Sequence, residues 1–209
     1  MNITDAAELE EAERAITTVR SAEIAAGPAP KTFDFATLKT IHKTLFQEVY
    51  SWAGTPRDVR IAKTSLFCNP QFIDQSAQEI FQKLKDEKYL QGLPKEQFID
   101  RLAYYMGEVN ALHPFREGNG RTQRLFFTQL AKAAGYNLDF TKMDKERLLQ
   151  ADIEAMRFRY EPLKNLIQEN IEPIQIQKTS IKEQIETIKE QRATPKPQPQ
   201  HDKTKTHKK

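Results

Sequence analysis

Twelve consecutive residues, His113-Pro114-Phe115-Arg116-Glu117-Gly118-Asn119-Gly120-Arg121-Thr122-Gln123-Arg124, concentrate the groups in this chain that could do chemistry. Pro114 disfavours the α conformation at His113, so a helix arriving from the N-terminal side should stop there and leave an imidazole at its C-terminal end. An imidazole titrates near neutral pH and can serve as a general base. Gly118, Asn119 and Gly120 precede a helical apolar stripe, which puts unpaired backbone N–H groups at a positive helix end. The missing Cβ atoms let anion oxygens approach those groups closely. Arg121 and Arg124 stand three residues apart on the same new helix and should share a face, within reach of one polyphosphate. Glu117, just before the cradle, can hold a divalent ion already bound to phosphates, and Mg²⁺ suits a site with one carboxylate, waters and phosphate oxygens. Phe115 has the simpler role of an apolar peg that fixes the loop. Each of these side chains alone has a plain structural reading; in this order they specify polyphosphate chemistry.

Helices must position this loop. Residues 4–26 are dominated by helix formers, with Thr4 or Asp5 as the cap, Gly27-Pro28 as the stop, and a packing face of Leu9, Ala12, Ile16 and Val19. A second helix is predicted over residues 35–52, through Phe35, Leu38, Ile41, Leu45, Phe46 and Val49. Pro70 opens another, running to about Leu90. Pro94 opens the helix that feeds the motif, with Phe98, Ile99, Leu102, Ala103, Met106, Val109 and Leu112 as its apolar face. Leu125, Phe126, Leu130 and Ala134 continue past the motif to Gly135, and helices follow over about 144–156 and 161–171. The period changes only at residues 57–68, where Val59 and Ile61 alternate with Asp58 and Arg60 before Leu66-Phe67-Cys68. That stretch reads as a small β-hairpin and is the only strand signal.

The 209 residues divide into an N-terminal helical segment (1–34), a core (35–172), a terminal helix (173–192) bearing Ile174, Ile181, Ile185 and Ile188, and a tail (193–209). The tail is rich in Pro, Gln and Lys, lacks a hydrophobic period and is predicted to be disordered. Its five lysines and one aspartate carry +4 of a formal +3, so residues 1–192 sum to −1. The basic balance is therefore a property of the tail, and direct nucleic-acid binding by the core is not expected. A lone cysteine, Cys68, fits a reducing compartment. No apolar run suggests a signal peptide or membrane span.

The pattern H-x-F-x-E-G-N-G-R-x-x-R resembles the Fic family motif at every defined position. The resemblance covers roughly residues 35–170. It implies an all-α fold, a compact helical bundle with one small β-hairpin, or flap, beside the active site. It also implies a protein adenylyltransferase, in which His113 deprotonates a hydroxyl of a target protein for attack on the α-phosphate of ATP, with release of pyrophosphate. By the same resemblance Glu117 holds Mg²⁺ across the α- and β-phosphates, and Gly118, Asn119 and Gly120 line the anion hole. Arg121 and Arg124 engage the β- and γ-phosphates, and Lys63 and Thr64 at the flap turn contact the nucleotide. Gly120, where Doc-type kinases have lysine, favours AMP transfer. An extended target segment could add as a strand beside Val59–Ile61.

Many Fic proteins share an inhibitory helix, S/T-x-x-x-E-G/N, and this sequence holds no complete copy. The chain therefore looks like the class restrained in trans by a small antitoxin. By resemblance its targets would be type II DNA topoisomerases, gyrase or topoisomerase IV, in the bacterial cytoplasm. A secreted effector acting in a host cell is the alternative location. A transferase of UMP, phosphocholine or phosphate, and a nucleotide-gated protein-binding module, are the competing functions.

Overall fold

A computed structural model describes residues 5–61 and 67–174. The terminal helix and tail read from the sequence, and Lys63 and Thr64, lie outside the described residues.

Among the described residues seven α-helices make up most of the fold: α1 (Ala6–Ala26), α2 (Phe35–Phe46), α3 (Ile73–Asp86), α4 (Lys95–Leu112), α5 (Asn119–Ala133), α6 (Lys145–Ala155) and α7 (Glu161–Glu169). Aspartates start three of them. Asp5 accepts from the amides of Ala7 and Glu8, Asp34 from Thr37 and Asp144 from Arg147, each satisfying helix-end donors that would otherwise lack partners. Helix α4 is central, packed against α3, α5, α6 and α7, while α5 packs against α1, α2 and α4. The seven apolar residues read from the sequence as the inner face of α4 are all buried. They meet Leu38, Phe81, Phe126, Leu130 and Leu163 in a single core. No described helix is long and apolar enough to cross a membrane.

The structure differs from the sequence reading in four places. Helix α2 stops at Phe46 rather than at residue 52, because residues 47–54 fold back in turns that bring the Gly54 N–H onto the Nδ1 of His42, at 2.8 Å. The element read as one helix over 70–90 is a short 3₁₀ turn (Pro70–Phe72), then α3, then a turn at Lys88–Leu90 whose residues all have positive φ. Helix α1 is rotated from the predicted face: Val19 is 58% exposed, whereas Thr17 is buried and the Glu13 side chain is only 12% exposed. Glu13 faces inward because Arg121 of α5 offers it a charge partner.

A small sheet also stands where the sequence showed no strand signal. Strands β1 (Tyr136–Leu138) and β2 (Ile171–Pro173) pair antiparallel, with Asn137 opposite Glu172. The turn of the 57–68 hairpin lies outside the described residues; the described residues on either side of it carry no assigned strand, and two of their amides bond at the end of α4. The Arg57 N–H donates to the Pro114 carbonyl and the Cys68 N–H to the Ala111 carbonyl.

Candidate active site

Helices α4 and α5 meet at the motif loop, and the loop's shape follows from local chemistry. His113 caps α4 in the left-handed region, with φ 42° and ψ 61°, which lets the chain leave the helix before Pro114. Asn119 then ties the loop to itself: its Oδ1 accepts from the Phe115 N–H at 2.9 Å, and its Nδ2 donates to the Phe115 carbonyl at 2.7 Å. Phe115 is 1% exposed, the peg the sequence implied. Gly118 has φ 78°, and a Cβ there would lie 2.4 Å from carbons of the Phe46 ring, so only glycine fits. The Thr122 hydroxyl donates to the Gly118 carbonyl, and α5 begins at Asn119.

A cavity of about 780 Å³ opens over this loop. Its lining combines His113, Glu117, Asn119, Gly120 and Arg124 of the motif with Met143 and, from α6 and the residue after it, Leu148, Leu149, Ile153 and Met156. The His113 ring stacks on Phe67 with centroids 3.7 Å apart, and its Nδ1 lies 3.3 Å from the Asn110 carbonyl oxygen. A carbonyl is only an acceptor, so the neutral ring carries its proton on Nδ1, which leaves Nε2 as the basic nitrogen. The Glu117 carboxylate accepts the Gly118 N–H at 2.9 Å. Burial lowers the pKa of Arg124, against the opposing pull of Asp152, and burial raises Asp152 to about 7 against the pull of Arg124. Both side chains face the same cavity.

The two motif arginines are used differently. Arg124 lines the cavity, whereas Arg121 points to α1: its guanidinium donates to the Glu13 carboxylate at 2.5 Å and to the Thr17 hydroxyl at 3.3 Å, and it covers the Phe46 ring. The Tyr50 hydroxyl donates to the same Glu13 carboxylate. Both arginines also border a second depression of about 450 Å³, beside Ser21 and Ala25 of α1 and residues 137–141. The structure thus gathers five of the residues read from the sequence around one cavity, while Gly118 is buried against the Phe46 ring.

Two residues that sequence reasoning missed hold the loop from behind. Arg57 is 3% exposed, and every guanidinium hydrogen bond it makes among the described residues ends on a main-chain carbonyl: His113 at 2.8 Å, Val59 at 2.9 Å, Cys68 at 2.6 Å and Leu112 at 3.5 Å. His42 is fully buried, stacked on Phe115 with ring centroids 3.8 Å apart, and lies 3.0 Å from the Glu117 carbonyl. Burial pushes its pKa down to about 4, so the ring is neutral at physiological pH. The only signal in the sequence was a polar side chain within an apolar helical stripe.

Residues 32–131 match the model of the Fic/DOC family. The chain is 42% identical over 172 residues to protein adenylyltransferase VbhT of Bartonella schoenbuchensis, covering 82% of this chain and 36% of that protein. It is 41% identical over 153 residues to the Escherichia coli K12 protein named "Probable protein adenylyltransferase Fic", covering 73% of this chain and 76% of that one. The chain thus spans about a third of VbhT's length and about three quarters of the E. coli protein. Among solved structures, the N-terminal Fic domain of a VirB-translocated Bep effector from Bartonella quintana, with bound ADP, superposes with a TM-score of 0.76 at 34% identity, over 83% of this chain and 89% of that one. BepC from Bartonella tribocorum, with bound AMPPNP, gives 0.75 at 29% identity, over 82% and 90%.

Proposed function

Since the chain belongs to the Fic/DOC family, we propose that it is a protein adenylyltransferase, moving AMP from ATP to a hydroxyl side chain of a target protein and releasing pyrophosphate. The observation that carries this reading is one cavity lined both by a base, a carboxylate, a helix N-terminus and an arginine and by a set of apolar side chains. A nucleotide needs both kinds of lining. Its base suits the apolar side chains of Met143, Leu148 and Met156. Its phosphates suit the amides at the start of α5 and the forked donors of Arg124.

His113 takes the proton of the target hydroxyl on Nε2 while Nδ1–H stays directed at the Asn110 carbonyl. The hydroxyl oxygen bonds to the α-phosphorus as the bond to the pyrophosphate oxygen breaks. On this reading the amides of Asn119 and Gly120 at the start of α5 and the guanidinium of Arg124 neutralise charge on the phosphates, the main demand of such a transfer. Glu117, a solvent-reaching carboxylate on the cavity wall, fits Mg²⁺, which takes one or two protein carboxylates and otherwise waters and phosphate oxygens. The ion would supply charge neutralisation on the polyphosphate. Arg121, committed to Glu13, contributes to the phosphate site by holding α5 against α1. Lys63 and Thr64 are assigned to the nucleotide by the family resemblance alone.

The antitoxin reading is supported by the depression beside α1 and α5. A helix lying there would face both Arg121 and Arg124, and an inhibitory glutamate on it could compete with phosphate for Arg124. Gyrase and topoisomerase IV remain the proposed targets. Incubation with a bacterial lysate and either α- or γ-labelled ATP tests the central claim. Label should enter protein from the α position only and should depend on Mg²⁺. It should fall by a factor of about 10²–10⁴ in His113→Ala. Transfer from the γ position, or an unaffected His113→Ala, would overturn the assignment.

A further inference from the structure

The proposed reaction does not use His42, yet this is a fully buried imidazole with both ring nitrogens engaged. The two contacts fix its tautomer. Gly54 presents a backbone N–H to Nδ1 at 2.8 Å, and an N–H can only donate, so Nδ1 is the acceptor. The single proton of the neutral ring therefore sits on Nε2, which donates to the Glu117 carbonyl oxygen at 3.0 Å. Phe115 stacked on one side, with Trp52 and Phe46 around the ring, holds the imidazole in that orientation.

That one hydrogen bond decides the direction of a peptide plane. In a trans peptide the carbonyl and the following N–H point opposite ways, so a Glu117 carbonyl drawn back to His42 aims the Gly118 N–H forward. It does point forward, onto the Glu117 carboxylate on the cavity wall. Gly118 lacks the Cβ that would oppose rotation of this peptide, so local sterics alone do not keep it from flipping. A flipped plane would turn a carbonyl oxygen toward the phosphates and replace attraction with repulsion.

We propose that His42 is a positioning residue for phosphate binding, its Nε2–H holding the Glu117–Gly118 peptide with the N–H turned away from His42 and onto the Glu117 carboxylate that lines the cavity. The inference rests on reading the Gly118–Gly120 turn as the phosphate cradle, and it concerns affinity for the phosphate part of the nucleotide alone.

Three variants of the full chain separate this role from simple packing. His42→Gln can keep a donor where Nε2 stands, His42→Asn can keep only an acceptor where Nδ1 stands, and His42→Ala keeps neither. Titration with AMPPNP should show His42→Gln within about threefold of wild type and the other two weakened by roughly tenfold or more. Adenosine, which carries no phosphate, should bind all four proteins equally. Equal AMPPNP losses in the Gln and Asn variants, or adenosine losses that parallel them, would overturn the proposal. Wild-type protein that fails to bind AMPPNP would overturn the functional reading together with this one. ¹⁵N NMR of the wild-type histidines needs no variant to fold: His42 protonated on Nε2 supports the proposal, and His42 protonated on Nδ1 refutes it.

Discussion

Among the described residues, non-glycine residues with positive φ occur at the motif, at the end of α3 and at Phe158 after α6, and the first two of these regions are stabilised in opposite ways. At the motif, His113 is the only such residue, and Gly118 five positions on shares the conformation. Around them buried polar groups grip the main chain: Arg57 takes carbonyls on both sides of the turn, Asn119 brackets Phe115, and His42 takes the Glu117 carbonyl. At the end of α3, Lys88, Tyr89 and Leu90 are left-handed in succession, with φ 52°, 54° and 60°. Each such residue costs about 1–2 kcal/mol against its right-handed form. There the restraint is apolar: Leu90 is fully buried and Tyr89 packs edge-on to Phe33. Strain by itself therefore does not mark function. Only at the motif do hydrogen bonds aim particular main-chain groups at a cavity.

If that contrast is right, Gly118→Ala should be the most damaging of the small substitutions. Its methyl group must displace the Phe46 ring and adopt φ 78°. A loss of about 3 kcal/mol or more is expected in denaturant unfolding, together with loss of AMPPNP binding. Near-normal stability and binding would mean that the loop tolerates rearrangement and is not pinned.

Arg57→Gln tests the grip itself. The variant leaves several buried carbonyls without a donor, for an expected loss of roughly 2–4 kcal/mol. Because Arg57 holds the backbone of His113 rather than the phosphate cradle, kcat should fall further than AMPPNP affinity. Equal losses in both would put Arg57 in general support of the core, outside the contrast drawn here. Arg57→Lys retains the charge without the fork and should recover little of the lost rate.

The sequence displayed the reacting groups and hid the groups that hold them. His113, Glu117, Gly118 to Gly120 and Arg124 were legible because a proline, two glycines and charges in adjacent positions constrain one another locally. The apolar stripe of α4 was legible because seven core residues keep helical spacing. His42 and Arg57 act on carbonyls 75 and 56 positions away, and apart from the place of His42 within an apolar stripe nothing local signals that either is buried. The same distance effect misdirected the face of α1, since Glu13 is drawn inward by Arg121, 108 positions later. Strands β1 and β2 have three residues each, too few for alternation to register, and they pair only because the chain returns after α7. The alternation at Asp58 to Ile61 leads into residues 62–66, which lie outside the described residues, and the amides of Arg57 and Cys68 at either end of the segment are tied to the end of α4.

On the other side of the comparison, Glu87 should matter to stability and not to activity. It accepts from Arg101 at 2.5 and 2.7 Å and from the Tyr105 hydroxyl at 2.9 Å, just before the left-handed turn. Burial alone would push its carboxyl up, but the hydrogen bonds from Arg101 and Tyr105 prevail and hold it below its ordinary value of 4.5. A pKa depressed on folding adds stability that is present above the unfolded value and lost as pH falls through the folded one. With both partners about one third exposed, solvent screening limits Glu87→Gln to about 0.5–1 kcal/mol. Unfolding curves should show that difference at pH 7 and show it shrink as pH falls below 4.5 and through the lowered folded value. Label transfer should be unchanged at neutral pH.

Lys88→Gly should have the smallest effect and the opposite sign. Lys88 is exposed and begins the left-handed run, so removing its Cβ relieves strain without opening a cavity. Glycine also gains freedom in the unfolded chain, which offsets part of that relief, and a net stabilisation of about 0.5–1 kcal/mol is expected. A rise in Tm with unaltered label transfer and AMPPNP affinity would show that the turn after α3 carries strain without function. If the variant instead impaired transfer, the left-handed turn would have to be coupled to the motif through Leu90 and the core. The separation between hydrogen-bonded strain at the site and packed strain away from it would then fail.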